Sequence, residues 1–430
     1  MPRILLVAAT TGYQTRSFAA AARRLGIDVI LATDRCHVLE DPWRDKAIPV
    51  RFEEPEIAAE VLGDCVVDGI VAVADRPTLV AALAARKLGL PYHSPQAVAA
   101  CRDKHVMRKI FGRSGLLVPE NFRVALNRDP REIARDAGFP CVLKPLGLSA
   151  SRGVIRANNA DEFVTAFDRI RRILEQPEIR QFHEEWNEAI QIERYIDGRE
   201  FALEGLMTQG ELNVLAIFDK PDPLDGPFFE ETIYVTPSRE SREIQSAIVD
   251  AARRAVRALG LDHGPVHAEM RVNAQGVYMI EVAARPIGGL CARALRFALL
   301  SRTTDPSDCT LSGLTLEEVV ILHAIGNIPK GLTLSRQAMG VMMIPVPRAG
   351  VYESVTGIED ALRTDGVDDV VITAKADQKL VPLPEGASYT GFIFASGDTA
   401  DAVETSLRTA HSRLQFEILG TLDVIPVLNA

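Results

Sequence analysis

The order of apolar and polar positions divides the chain before any chemistry is considered. Continuous apolar runs at 4–8, 28–33 and 69–74 predict buried strands. Apolar stripes at helical spacing over 17–25 and 78–88, closed by Gly26 and Gly89, predict amphipathic helices between them. Buried strands separated by helices imply a parallel, doubly wound, Rossmann-like sheet. Residues 101–118 read as a helical connector with charges on one side. Short strands and an arginine-rich helix over 161–174 follow, then a polar segment at 176–188 expected to be a mobile loop. Beyond residue 189 come several strands, a long helix over 239–259, and two alternating strands joined by a turn at 273–276. The final unit shows strands at 340–345 and 391–395, a helix over 399–413 and a strand over 414–419. The pattern predicts a mixed α/β and α+β multidomain chain divided as 1–100, 101–188, 189–334 and 335–430. It shows no internal repeat, coiled coil or low-complexity tract.

Composition narrows the class. A chain of 430 residues is too long for one core. Its 47% hydrophobic and 25% charged content is that of a globular protein. A formal net charge of −10 argues against a nucleic-acid partner, because no basic excess exists to neutralise phosphates. The six cysteines (Cys36, Cys65, Cys101, Cys141, Cys291 and Cys309) form no Cys-x-x-Cys pair and read as reduced thiols of a cytoplasmic protein. No stretch reaches the length of a membrane span, and the first apolar run, too short for a signal peptide, reads as a strand.

Several segments carry candidate chemistry. Glu269 and Glu281 sit on the two alternating strands, so a hairpin would set their carboxylates side by side. Neighbouring buried acids repel unless a cation lies between them, and hard divalent ions take such oxygen ligands beside phosphates. Taken alone, two strand acids more often form a solvated face. Lys144 ends a short apolar strand at 139–143, and Gly147, Ser149, Ala150, Ser151 and Gly153 follow it. A lysine with a small-residue turn can hold phosphate oxygens, although the order differs from a Walker loop. An ordinary hairpin turn with an exposed Arg152 has the same pattern. Lys104 opens the connector helix, where its charge opposes the helix dipole and hints at a phosphate or carboxylate partner, against the commoner role of a solvated surface lysine. Glu193, Arg194, Tyr195 and Ile196 lead through Asp197 and Gly198 to Glu200, a strand–turn–strand whose backbone could meet an adenine edge and whose Glu200 could meet a ribose. The loop after the first strand, Ala9 to Tyr13, lacks the Gly-x-Gly-x-x-Gly spacing of a dinucleotide site, yet lies where open α/β sheets bind ligands.

In that order, these segments resemble the ATP-grasp superfamily of carboxylate–amine ligases. The resemblance covers residues 1 to about 330 and implies a pre-ATP-grasp unit followed by a two-lobed ATP-grasp domain. It implies ATP binding by Lys104, Lys144, Ser149, Ser151, Gly153, Glu193, Tyr195, Ile196 and Glu200, with Mg²⁺ or Mn²⁺ on Glu269 and Glu281. It implies catalytic roles for Lys144 and Arg285. Many members place Asn two residues after the second glutamate; here Ala283 stands there, which puts one metal position in doubt. The tail around 340–350 and the Pro/Gly-rich segment 218–232 look like those of L-amino-acid ligases, which join two amino acids. On that likeness Glu230, Glu231, Arg285, Gly288 and Gly289 would meet substrate. The implied partners are a small carboxylate and an amine, neither nucleic acid nor membrane, with a homodimer allowed. The implied reaction forms an amide through an acylphosphate. His267 is a candidate base for the amine, against the commoner role of a core histidine. The alternatives are an ATP-grasp ligase or carboxylase using another small acid or bicarbonate, or an ATP-binding protein without turnover.

Overall fold

The computed structural model describes residues 1–9, 14–34, 47–180, 185–299, 313–328 and 331–420. Cys36, Cys309, most of the loop after the first strand and part of the expected 176–188 loop lie outside them.

The N-terminal unit is the anticipated parallel sheet, in the order Ile48–Pro49, Asp28–Thr33, Arg3–Ala8, Gly69–Val73. Residues 4–8 and 69–73 are buried throughout, which explains their unbroken apolar character. Helices Thr15–Leu25 and Thr78–Leu88 end where Gly26 and Gly89 turn left-handed. The connector helix starts at Lys104, as expected, and runs to Arg113, because the Asp103 carboxylate accepts the His105 and Val106 N–H groups; a short helix, Pro95–Arg102, precedes it.

The small lobe is a four-stranded antiparallel sheet in the order Asn121–Ala125, Ala189–Arg194, Cys141–Pro145, Ile155–Ala157, covered by helix Ala160–Leu174. That helix buries Phe163, Phe167, Ile170 and Ile173 on one stripe.

The large lobe and the tail share one eight-stranded sheet. Its order is Gly276–Ala283, Gly264–Asn273, Arg199–Thr208, Glu211–Lys220, Ile233–Thr236, Ala338–Ile344, Gly391–Gly397, Val367–Ile372. The join lies between Ile233–Thr236 and Ala338–Ile344, paired antiparallel from Ile233↔Met342 to Thr236↔Met339. Helix Leu316–Ala324 packs against both the first helix and strand Gly69–Val73, tying the lobe to the N-terminal unit. No helix among the described residues is long and apolar enough to cross a membrane. The described cysteines Cys65, Cys101, Cys141 and Cys291 are free thiols, the last three buried.

Candidate functional site

Strand register builds the site. Arg271, Glu200 and Lys220 lie in one cross-strand row, since Glu200 pairs with Arg271 on one side and Lys220 on the other. His267 pairs with Glu204 on the neighbouring strand, and Glu269 lies between His267 and Arg271 on the same face. Glu269 and Glu281 oppose each other across the hairpin, with a bulge immediately after Glu269.

The centre of this face is Lys220, which the sequence reading did not single out. Its ammonium lies 2.9 Å from Glu200 and 3.3 Å from Glu269, donates to Glu231, and sits 5.0 Å from the Tyr234 ring centre. Burial opposes a charge on Glu269, yet Lys220 and His267 hold its carboxyl well below the usual range. Burial and the Glu269 charge push Glu231 the other way. His267 bridges Glu204 at 2.6 Å and Glu269 at 3.3 Å. Burial disfavours its cation, but the two carboxylates lift its pKa to about 9. With one ring nitrogen on Glu204 and the other facing Glu269, His267 ties the two carboxylates together.

Oxygen ligands from Glu200, Glu231 and Glu269 lie within 4.8 Å of one another, an all-carboxylate set suited to a hard divalent ion. Two of these three come from outside the hairpin. Ala283 pairs in register with His267. Glu281 stands apart from the trio, with the Lys104 ammonium 3.9 Å from its carboxylate.

The two lysines converge from the other lobe. Lys104 donates to the Leu148 carbonyl at 2.9 Å, and the Glu281 carboxylate 3.9 Å away is an anion of the kind its helix position suggests. Lys144 lies 2.6 Å from Glu193. Glu193 is fully buried and also meets Arg108 at 2.8 Å and Gln191 at 2.8 Å. Burial raises its pKa, but Arg108 and Lys144 overcome this and hold it at about 2. The Glu193 side chain is thus a permanent anion that anchors the flap lysine. In the linker, the Tyr195 N–H donates to Pro140 and the Tyr195 hydroxyl to Asp225. The flap itself is strained: Ala150 and Ser151 are consecutive left-handed residues, with φ 53 and 54.

These groups line one cavity of about 320 Å³ between the lobes. Lys104, Lys144, Ser149, Ser151, Glu193, Tyr195, Ile196, Glu200, Glu231, Glu269, Glu281, Arg285, Gly288 and Gly289 all face it. Gly153 does not: its N–H donates to the Pro384 carbonyl and pins the flap to the tail. Glu230 is likewise outside the lining, while Phe229 and Glu231 are within it. The cavity also receives Gln14 and Asp75 from the N-terminal unit, and Met343, Ala387 and Tyr389 from the tail. Sequence reading missed these five because each reaches the site from a distant segment with no local motif.

A clamp of two lobes on one lysine- and carboxylate-lined cavity, beside an α/β unit, defines an ATP-grasp protein. Residues 137–294 match the ATP-grasp domain, 19–92 the ATP-grasp N-terminal domain, and the chain belongs to that superfamily. More particularly, residues 342–419 match L-amino acid ligase C-terminal domain 2. Alanine–anticapsin ligase of Bacillus subtilis is 29% identical over 299 residues, covering 64% of this chain and 62% of that protein. Its counterpart in Bacillus amyloliquefaciens is 30% identical over 286 residues, covering 60% and 58%. The chain therefore matches about three fifths of the length of these relatives. The crystal structure of L-amino acid ligase from Bacillus licheniformis has the same fold, with a TM-score of 0.76 at 24% identity over 98% of this chain and 99% of that one.

Proposed function

We propose that this protein is an ATP-dependent carboxylate–amine ligase that joins two amino acids through an acylphosphate, releasing ADP and phosphate. The observation that carries the reading is the convergence, on one interlobe cavity, of two lysines, an arginine and a cluster of carboxylates too dense to stay ionised without cations.

The four segments 1–100, 101–188, 189–334 and 335–430 divide the work. The first shapes the substrate end, the second carries the flap, the third the acids, and the tail closes the apolar wall. Lys104, Lys144 and the backbone of the Ser149–Ser151 turn hold the phosphates, and the linker at 193–196 with Glu200 holds the nucleoside. Glu269 and Glu281, which face each other across the hairpin, would hold Mg²⁺ or Mn²⁺. Such an ion neutralises phosphate charge when bound.

A substrate carboxylate oxygen attacks the terminal phosphorus and ADP leaves. The amine nitrogen of the second substrate then attacks the acyl carbon, and phosphate departs with the bonding pair. Arg285 steadies the oxyanion of both steps, while Glu231 meets a substrate ammonium and Gly288 and Gly289 admit the substrate backbone. The flap excludes water, which would hydrolyse the acylphosphate.

A coupled ADP-release screen over amino-acid pairs, followed by mass spectrometry, tests this. A pair-dependent rate with a product one water lighter than the two substrates supports it. ADP release that no amino-acid pair accelerates would exclude it. Glu281→Ala should abolish metal-dependent turnover without unfolding the protein, as read by circular dichroism.

A further inference from the structure

The phosphate-facing arginine does not stand free. Arg285 donates Nε–H to Asp75 Oδ1 at 2.7 Å and Nη2–H to Asp75 Oδ2 at 3.1 Å, a bidentate fork, and donates Nη1–H to the Pro286 carbonyl at 3.0 Å. Of its five N–H groups, two remain for a ligand, one on each Nη. Asp75 comes from the N-terminal unit, 210 residues away, at the carboxyl end of strand Gly69–Val73. Its backbone is held as firmly as its side chain. Ala74 before it is left-handed at φ 73, an uncommon state for a residue with a Cβ. The Asp75 carbonyl accepts the Thr78 N–H at 3.2 Å and the Thr78 hydroxyl at 2.6 Å. A second contact follows the same route, since buried Gln14 donates to the Ile287 carbonyl.

We propose that Asp75 is a positioning residue: it fixes the guanidinium of Arg285 at the angle from which its two remaining N–H groups meet the transferring phosphoryl and acyl oxygens. The N-terminal unit thereby aims a group that the large lobe carries. The inference rests on the ligase reading, because it takes Arg285 as the oxyanion partner. Burial works against an ionised Asp75, yet Arg285, Lys104 and Arg102 hold its carboxyl below the usual range, so the fork is charged on both sides.

The test is a double-mutant cycle on ADP release, run both without and with amino acids. Asp75→Ala should lower kcat about 100-fold, the scale of an ångström of misplacement, with the KM for ATP changed less than about threefold. Asp75→Asn keeps the volume and one acceptor, so it should recover part of that loss and carries the comparison if the alanine variant unfolds. The double variant Asp75→Ala with Arg285→Ala should be no slower than Arg285→Ala alone, because Asp75 acts only through Arg285. Additive losses, a faster Asp75 variant, or a fall confined to ATP affinity would overturn the proposal. The ligase reading fails separately, if amino acids leave the unsubstituted protein's rate unchanged. The basal rate still reads the Asp75–Arg285 coupling in that case.

Discussion

Lys220 is where residue-scale reasoning changes most. Read along the chain it is one lysine beside a proline; across three strands it is the counter-ion for Glu200, Glu231 and Glu269. Removing one partner from a buried charge cluster is far costlier than replacing the whole cluster. Lys220→Met should therefore destabilise the fold by about 3–5 kcal/mol. Magnesium should then become the better counter-ion, so the rise in Tm on adding MgCl₂ without nucleotide should be larger in this variant than in the unsubstituted protein. Equal shifts would count against a cation at these carboxylates. Lys144→Ala should weaken ATP binding about tenfold or more by titration calorimetry, a loss of roughly one charge-assisted contact. The fold should survive, because Arg108 and Gln191 still hold Glu193. Lys104, Lys144, Glu269 and Glu281 were legible in the sequence because each sits in a local setting that is awkward without an anion or cation nearby. Lys220, Asp75 and Gln14 were not, since their meaning lies in strand register or in contacts hundreds of residues apart.

At the scale of elements, the flap shows how a loop is held by parts that do not touch its ligand. Arg152 donates to the Glu385 carbonyl, Gly153 to Pro384, and Arg169 forks onto the Glu385 carboxylate. Gly153 has φ 72, and a Cβ there would lie 2.6 Å from Pro145 Cγ. Gly153→Ala should cost about 1–3 kcal/mol in urea unfolding, through both the backbone and the clash, and should loosen ATP binding with it. An unchanged midpoint would show that the turn relaxes freely. Elements with their own periodicity were readable: helix Arg242–Leu259 and the hairpin strands declare themselves by an apolar stripe or alternation. Helix Leu316–Ala324 was not, because it is buried all round from Leu316 to His323 and so presents no stripe.

For the whole molecule, the joints between units decide behaviour. His93 bonds the Pro265 carbonyl, and His263 stacks on His323 with ring centres 4.2 Å apart, at the meeting of the N-terminal unit with the large lobe. Burial lowers the pKa values of His93 and His323 to about 4. Their neutral forms are the ones that fit, so their contribution is complete above about pH 6.5 and is lost as pH falls towards 4. His267 has the opposite sign: its contribution is complete below about pH 6.5 and is lost as pH rises through 9. Tm should thus peak near pH 6.5 and fall on both sides, and His323→Gln should flatten the acid limb in a calorimetric series. The shared sheet has a consequence of its own. Because Ala338–Ile344 supplies the hydrogen-bonding neighbour of Ile233–Thr236, a protein truncated at residue 334 would be left with a raw, sticky border and would tend to precipitate. Grafting a foreign tail onto this protein would succeed only where the incoming strand keeps the same stagger against Ile233–Thr236.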